Sequence, residues 1–176
     1  MAEVVPSSTR EDSFVRCTRT GRDMIFDIRI DDLTGEASRA LVAHHLKGMY
    51  ETSPPEGVFA LDVDKLRQPG VTFWTIWADG EIAGMGALKQ LDAENGEIKS
   101  MRVAEGFLGK GVGRAMLNHI LAEARGRGLR RLWLETGSHP AFDPALKLYQ
   151  TAGFAYCGPF ADYVENPFSR FMTLAL

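Results

Sequence analysis

The residues from Gly106 to Ala115 read GFLGKGVGRA and decide how this chain folds. The run before them, Glu97 to Val103, is typical of a β-strand, and the run from Val112 to Arg125 has the apolar period of a helix. Glycines at alternate positions 109, 111 and 113 let the backbone turn tightly, because no Cβ obstructs it. The first N–H groups of a helix have no helical acceptor and favour an anion. The stretch therefore predicts a strand, a loop and a helix, with an anion site, most often for phosphate, at the start of the helix.

Two well-known phosphate-binding motifs do not fit this loop. A nucleotide P-loop follows G-x-x-x-x-G-K-[ST]; Gly106 and Gly111 have its spacing, but Val112 stands at the lysine position. A dinucleotide fingerprint follows G-x-G-x-x-G, and the glycines at 109, 111 and 113 do not. Another phosphate ligand is therefore expected, and the alternative is a glycine-rich surface turn that binds nothing.

Length and charge set the class of protein. The chain has 176 residues, which suits one domain with a real core. Residues 1–22 are polar and charged and predict a flexible N-terminal extension, so that residues 23–176 form the single domain. The net charge of −3 gives no global field that would draw the chain to nucleic acid or to a membrane, and neither is expected as a partner.

The helix after the loop and its C-terminal flank are locally basic. Residues 109–131 contain six cationic side chains and a single acidic one, Glu123. The cations would suit an outlying phosphate of the ligand. The alternative is a solvated helix end whose cations complement the helix dipole, and this is favoured from residue 125 onward. The six cations are Lys110, Arg114, Arg125, Arg127, Arg130 and Arg131.

Cysteines and hydropathy point to an ordinary soluble protein. Cys17 and Cys157 lie far apart and have no histidines at metal-ligand spacing, so no metal is expected. Apolar runs stay shorter than the ~20 residues of a membrane span, and the N-terminus lacks a signal-peptide core. The expected location is cytoplasmic.

The periodicities predict alternating strands and helices along the rest of the chain. Gly48 is expected to end the first helix, Asn95-Gly96 to form a hairpin turn, and Asp143 to cap the last helix. The predicted strands are 25–30, 71–77, 82–88, 97–103, 131–135 and 169–176, and the predicted helices are 35–47, 62–68, 112–125 and one that starts near residue 143.

The loop and the order of elements resemble the GNAT superfamily of N-acetyltransferases. Residues 108–113 are similar to its R/Q-x-x-G-x-G/A loop, although Leu108 replaces the Arg or Gln. The resemblance covers residues 26–176 and is strongest from Glu97 to Phe154. The stretches 53–56 (SPPE) and 134–138 (LETGS) also look like a bacterial branch of acetyltransferases with no assigned substrate.

This resemblance implies the GNAT, or acyl-CoA N-acyltransferase, fold within the α+β or α/β class. Such a fold has a mixed, mostly antiparallel central sheet flanked by helices, with parallel splayed strands around the cofactor. The gap is expected between residues near Val103 and Glu135. The implied cosubstrate is acetyl-CoA, without a metal. Backbone groups of the strand would bind the pantetheine arm of acetyl-CoA, and the loop would bind its pyrophosphate. The implied cofactor-binding residues are Met101, Arg102, Val103, Gly109, Lys110, Gly111, Val112, Gly113 and Arg114.

Acetyl transfer to an amine needs a proton acceptor, a stabilised oxyanion and a proton for the leaving thiolate. Glu97 and Glu135 match positions where family members carry the catalytic glutamate, with a slight preference for Glu97. The alternatives are a solvated residue after a turn for Glu97 and a polar strand end for Glu135. Tyr149 matches the tyrosine that protonates the thiolate, although its place on an apolar helix face also suits the core. Phe142 stands where many relatives have a cofactor-binding asparagine.

Acceptor residues are harder to predict. Tyr163 could line a pocket, although strand aromatics are more often core residues. His44 lies on the apolar face of the first helix and is expected to be packed or partly exposed, whereas His45 is expected to be solvated.

The leading functional hypothesis is an N-acetyltransferase that moves an acetyl group from acetyl-CoA to a primary amine by direct attack in a ternary complex. The acceptor would be a small-molecule amine or a protein amine, and the chain a monomer or homodimer. The alternatives are a catalytically silent CoA-binding sensor or interaction module, and an acyltransferase that uses another acyl donor or acceptor.

Overall fold

The computed structural model describes residues 13–19 and 22–176, and in them one twisted sheet carries four helices. The eight strands follow the order β1-β2-β3-β4-β5-β6-β8-β7 across the sheet. All neighbours are antiparallel except β5 and β6, which run parallel. The strands are β1 (Ser13–Arg19), β2 (Arg22–Ile30), β3 (Val71–Ala78), β4 (Glu81–Gln90), β5 (Asn95–Val103), β6 (Arg131–Gly137), β7 (Ala155–Cys157) and β8 (Ser169–Ala175).

The helices cover both faces of the sheet. Buried side chains of α3 pack with those of the central strands in one core, and α1 and α2 pack on a second core that includes Phe73 and Met85. The predicted mixed, mostly antiparallel sheet flanked by helices is confirmed. The helices are α1 (Glu36–Thr52), α2 (Val63–Leu66), α3 (Val112–Gly126) and α4 (Asp143–Thr151), with 3-10 turns at Pro55–Gly57, Glu105–Phe107 and Pro140–Phe142.

Three predicted boundaries were wrong. Helix α1 continues through Gly48 to Thr52, because tertiary packing of its last turn outweighs the low helix propensity of one glycine. Asn95 and Gly96 begin β5, since the carboxylate of Asp92 accepts the N–H groups of residues 94 and 95 and makes the turn earlier. Helix α4 starts one residue early, with Phe142 at the N-cap.

The glycine at position 96 has a packing role instead of a turn role. A Cβ there would lie 2.9 Å from side-chain carbons of Leu129 and Leu88, closer than carbon atoms can approach. The strand β5 therefore passes tightly between its neighbours at this point.

The start of the chain is described only in part. Ser13–Arg19 pair with β2 as an antiparallel strand, within the segment for which the sequence predicts a flexible extension. Residues 1–12, 20 and 21 of that predicted extension lie outside the described residues.

Candidate active site

A bulge in β5 changes the direction of the strand. The register between β4 and β5 shifts between Met85 and Ala87, so that β5 carries one residue more than β4. Ser100 lies in this bulge with φ of 52°, in the left-handed region that a serine rarely adopts. The surrounding sheet must therefore hold Ser100 in place.

The bulge separates β5 from β6. Their parallel pairing ends at Ile98 and Leu134, yet β5 continues to Val103 and β6 to Gly137. The splayed parallel strands that the sequence predicts are confirmed, and the gap lies beside Glu135 as expected.

The gap opens into a groove of about 900 Å³ between α1, β5, the glycine loop and α4. Strand β5 contributes Met101, Arg102 and Val103, the loop contributes Gly109 and Gly111, and helices α1, α3 and α4 complete the walls. Residues of the helix walls include His45, Gly48, Met49, Gly113, Arg114, Ala145, Leu148 and Tyr149.

The loop brings the start of α3 to the groove. Gly109 and Gly111 have φ of 73° and 89°, the left-handed values that explain why glycines stand there. The helix begins after Gly111, and its first intrahelical bond runs from the Ala115 N–H to the Gly111 carbonyl at 3.0 Å. Helix geometry leaves the N–H groups of residues 112–114 without helical acceptors. They are suited to hold an anion.

The predicted cofactor residues divide into two sets. Met101, Arg102, Val103, Gly109, Gly111, Gly113 and Arg114 line the groove. Two side chains point elsewhere, because Lys110 Nζ lies 5.0 Å from the centre of the Phe107 ring and Val112 is buried in the core. Only the backbone of these two residues is suited to a bound anion.

Most of the local basic charge serves the protein itself. Arg127 donates hydrogen bonds to Thr72 and Glu123, and Arg130 pairs with Glu94 at 3.2 Å. This agrees with the helix-end explanation for those two residues, and Arg114 is the member of the basic set that lines the groove.

A smaller cavity of about 70 Å³ lies at the inner end of the gap. It shares His45, Met49, Met101, Phe142, Ala145 and Tyr149 with the groove, so the two spaces adjoin. The remaining lining residues are Phe59, Ala60, Ile98, Lys99, Ser100, Glu135 and Thr136.

Glu135 brings a carboxyl group to this cavity. Its Oε1 accepts a 2.6 Å hydrogen bond from Ser169 Oγ of the neighbouring strand β8. Burial raises the pKa of Glu135 above its usual value, and the charge of Glu97 raises it further, while Ser169 and Lys99 act in the opposite sense. A carboxyl group in this setting binds a proton more readily than one in water.

Glu97 lies behind the cavity wall in a closed polar network. Its side chain is 2% exposed, and its Oε1 accepts a 2.6 Å hydrogen bond from the Tyr163 hydroxyl and lies 3.1 Å from Lys99 Nζ. Lys99 also donates a 2.6 Å hydrogen bond to the Tyr163 oxygen. The solvated alternative for Glu97 is therefore wrong, and Lys99, which lines the cavity, connects Glu97 to it.

Tyr149 is both a core residue and a residue of the candidate site, the two alternatives that the sequence left open. It is 5% exposed and packs edge-on against Phe154, yet it lines both the groove and the cavity. Burial, with the nearby charge of Glu135, raises the pKa of Tyr149 far above its usual value. The phenol therefore stays protonated and can act as a donor.

Partial exposure, one of the two settings predicted for His44, is observed, but the solvated setting predicted for His45 is wrong. His45 is buried at the junction of the groove and the cavity, whereas His44 is half exposed, 3.3 Å from Glu105. The signal lay in the spacing of Leu41, His45 and Met49 at i, i+4 and i+8, which becomes one face once the helix continues past Gly48. Burial, and then the charges of Arg102, His44 and Lys99, lower the pKa of His45 to about 4.

Two further observations concern the part of the chain that the structure describes. None of its helices is both long and apolar enough to cross a membrane. It holds no cluster of three or more His, Cys, Asp or Glu residues arranged to bind a metal ion.

Comparison with known proteins identifies the family. Residues 30–154 match the family model described as Acetyltransferase (GNAT) family, which is most of the chain. The uncharacterized N-acetyltransferase YsnE of Bacillus subtilis is 55% identical over 149 residues, covering 85% of this chain and 99% of that protein. The uncharacterized N-acetyltransferase YedL of Escherichia coli is 53% identical over 152 residues, covering 86% and 96%.

A solved structure agrees with these sequence relatives. The crystal structure of a Klebsiella pneumoniae protein that carries the name acyl-CoA N-acyltransferase superposes with a TM-score of 0.71 at 29% identity, over 86% of this chain and 97% of that one. The sequence relatives, the fold, and the splayed strands with their glycine loop all indicate the same family. The chain therefore belongs to the GNAT family of acetyltransferases.

Proposed function

We propose that this acetyltransferase moves the acetyl group of acetyl-CoA to a primary amine by direct attack in a ternary complex. One observation carries the proposal: the space beside the start of α3 extends from the groove to an adjoining cavity, lined by Glu135 and Tyr149, that shares six lining residues with it. Such a space can hold a long cosubstrate and a small acceptor at the same time, as direct attack requires.

The groove suits the cosubstrate along its whole length. The N–H groups of residues 112–114 and the side chain of Arg114 would bind the pyrophosphate. The edge of β5 from Met101 to Val103 has lost its β6 partner, so its free backbone groups would bind the pantetheine arm. The thioester would then lie near the cavity, beside Tyr149.

Glu135 is the better placed of the two candidate bases. It lines the cavity, and its raised pKa favours uptake of the ammonium proton, directly or through a water molecule. Glu97 is bound by Lys99 and Tyr163 behind the wall, so its proposed role is to position Lys99. Our proposal therefore assigns the proton transfer to Glu135.

Tyr149 is proposed as the acid of the second half of the reaction. The amine nitrogen bonds to the acetyl carbon, the C–S bond breaks, and the leaving thiolate takes the phenolic proton. Tyr149 then recovers a proton that the attacking amine has lost, so charges and atoms balance. Burial raises the pKa of Tyr149, so the phenol is in its protonated form when the reaction begins.

A thiol-release assay tests the proposal. The full chain would be mixed with acetyl-CoA and a panel of primary amines, and free thiol and acetylated amine would be measured together. We expect both products in equal amounts with at least one amine, and a loss of both in Glu135→Gln. Tight CoA binding without thiol release from any amine would contradict the proposal and favour a silent CoA-binding module. Release of thiol without an acetylated amine would point to another acceptor.

A matched control separates Glu135 from a general effect of carboxylate removal. Glu81→Gln changes an exposed glutamate at the start of β4 that lines neither the groove nor the cavity. It is expected to leave turnover unchanged. Equal losses in the two variants would contradict the role assigned to Glu135.

A further inference from the structure

Two buried polar atoms, which belong to residues that line the small cavity, lack a hydrogen-bond partner within the described part of the chain. They are Nδ1 of His45 and Oγ of Ser100, and both residues are 8% exposed. A buried polar group without a hydrogen bond lowers stability, so such groups are rare in proteins unless an ordered water or a ligand supplies the missing bond. Both residues line the cavity, so an acceptor bound there is in a position to supply the missing bonds.

Ser100 is held in an unfavourable backbone conformation at this position. Its φ of 52° lies in the bulge where β5 leaves β6, and the residue lines the cavity. Strained residues persist when the surrounding structure over-determines them, and they are concentrated at functional sites. The backbone of Ser100 is thus held in one conformation before the acceptor arrives.

The groups near these atoms are positively charged. The charged residues that act on His45 are Arg102, His44 and Lys99, which are all cations or can become so. Lys99 uses two of its three N–H donors on Glu97 and Tyr163 and has one left. Within the described residues, Arg102 has no carboxylate within 4.0 Å. Its guanidinium lies 3.1 Å from Nε2 of His44.

The rest of the cavity has the opposite character. Glu135 provides a carboxyl group there, and Tyr149 provides the proton donor next to the groove. The negative charge of Glu97 is already matched by Lys99 and by the Tyr163 hydroxyl. The same cavity is therefore lined by a carboxyl group that suits an amino group and by cationic and hydrogen-bond-donating groups that suit an anion.

Resting on the proposed acetyl transfer, we propose that the acceptor is an α-amino acid. Its carboxylate accepts hydrogen bonds from Ser100, from His45 as the Nδ1–H tautomer, and from the remaining N–H of Lys99. Its amino group faces Glu135 and the thioester. The products are the N-acetyl amino acid and free CoA thiol, with one proton released from the ammonium group.

The volumes agree with this arrangement. A cavity of about 70 Å³ is several times the ~10–15 Å³ that one water requires, and it suits the amino and carboxyl groups with the α-carbon. The amino-acid side chain would extend into the adjoining groove of about 900 Å³.

The test compares amino acids with their α-amides, which keep the amine and the side chain but lose the negative charge. L-Alanine, L-methionine, L-glutamate and L-phenylalanine would each be assayed beside the amide with saturating acetyl-CoA. We expect the ratio of kcat/KM for acid over amide to fall about 10- to 100-fold in Ser100→Gly and in His45→Gln, mainly through KM for the acid. Because the ratio is compared between proteins, differences in amine basicity cancel.

The variants are chosen so that folding does not decide the outcome. Glycine adopts a φ of 52° without strain, so Ser100→Gly removes the hydroxyl and keeps the backbone. The matched control is Ser138→Ala, whose hydroxyl donates to the Pro167 carbonyl outside both cavities and which should leave the ratio unchanged. An unchanged ratio in Ser100→Gly and His45→Gln would overturn the carboxylate proposal.

The failure of this proposal is distinct from the failure of acetyl transfer. If simple amines or amides release thiol with the same kcat/KM as amino acids, the amino-acid acceptor is overturned. The proposed acetyl transfer to an amine is then retained. If no amine releases thiol, binding decides: NMR titration of the CoA-loaded protein with L-alanine and L-alaninamide should shift the His45 resonances with the acid alone. Equal shifts, or none, would overturn the proposal.

Discussion

The hydroxyl of Tyr163 donates a 2.6 Å hydrogen bond to Glu97, which lies 66 residues earlier in the chain. Lys99 completes the triangle with bonds to both partners. The segment between β7 and β8 is thereby tied to the strand that borders the groove. Its aromatic neighbours are Phe59, Phe160 and Phe171, whose ring centres lie 4.9–5.6 Å from that of Tyr163. A charged network enclosed by aromatic rings keeps the back of the cavity rigid.

A bulky residue at position 111 is expected to abolish CoA binding. Gly111→Val places a β-branched side chain at φ of 89°, at the point where the amides of α3 face the groove. The left-handed conformation costs about 1–2 kcal/mol, which leaves most of the fold in place. Calorimetric titration with CoA measures the effect.

Gly128→Val is the matched control for this change. Gly128 has φ of 78°, and a Cβ there would meet nothing within 4 Å. It should lose a similar amount of stability and retain CoA affinity. CoA binding by Gly111→Val with unchanged affinity would contradict the assignment of the loop.

Removing the phenolic oxygen of Tyr149 should lower turnover more than it weakens cosubstrate binding. Tyr149→Phe keeps the buried ring and its contact with Phe154, and removes the proton donor. A single general acid contributes about 10²-fold or more, so kcat should fall by about that factor while CoA affinity holds. Tyr156→Phe, an exposed tyrosine on β7, is the control. An unaltered kcat in Tyr149→Phe would return this residue to a purely structural role.

The sequence predicted the parts of the site that local backbone geometry determines. The glycines of the loop are required by φ values of 73° and 89°, and the amphipathic period gave α3 to within one residue. The splay of β5 from β6 followed from the family resemblance. These features depend on residues close together in the chain, or on a motif that spans them.

The cavity could not be predicted in the same way. The network of Glu97, Lys99 and Tyr163 joins side chains more than 60 residues apart, and no local pattern encodes it. The place of Ser100 depends on a bulge that shows only in the register with β4. The burial of His45 depends on a helix that continues past Gly48, where a helix-breaking residue suggested its end.

The pH dependence should reflect the raised pKa of Glu135. An acid whose pKa is higher in the folded than in the unfolded chain stabilises the fold fully below the unfolded value of 4.5, and this contribution is lost as pH rises through the folded pKa. Glu135→Gln should therefore become more stable relative to the native protein as pH increases through that window. Denaturant unfolding at a series of pH values measures the difference, and no change in that difference across the window would contradict the shift.

The same group should set the acidic limb of catalysis. At low pH the carboxyl of Glu135 is protonated and accepts no proton, so kcat/KM should rise as pH rises through its pKa, above 4.5. Replacing Ser169 by Ala removes the hydrogen bond that holds this pKa down, and should move the limb to higher pH. A shift to lower pH, or none, would show that another group controls the limb.

Removing the cation from the buried network should be far more costly than removing one from the surface. Lys99→Met leaves the carboxylate of Glu97, 2% exposed, without its counter-ion, which is expected to cost about 3–5 kcal/mol of unfolding free energy. Lys47→Met breaks an exposed pair with Glu51 at 3.8 Å and should cost about 1 kcal/mol or less. Adding Glu97→Gln to Lys99→Met removes the unpaired charge, so the double variant should be more stable than Lys99→Met alone. Chemical denaturation of the four proteins measures these values, and equal costs for Lys99→Met and Lys47→Met would mean that the network does not support the cavity.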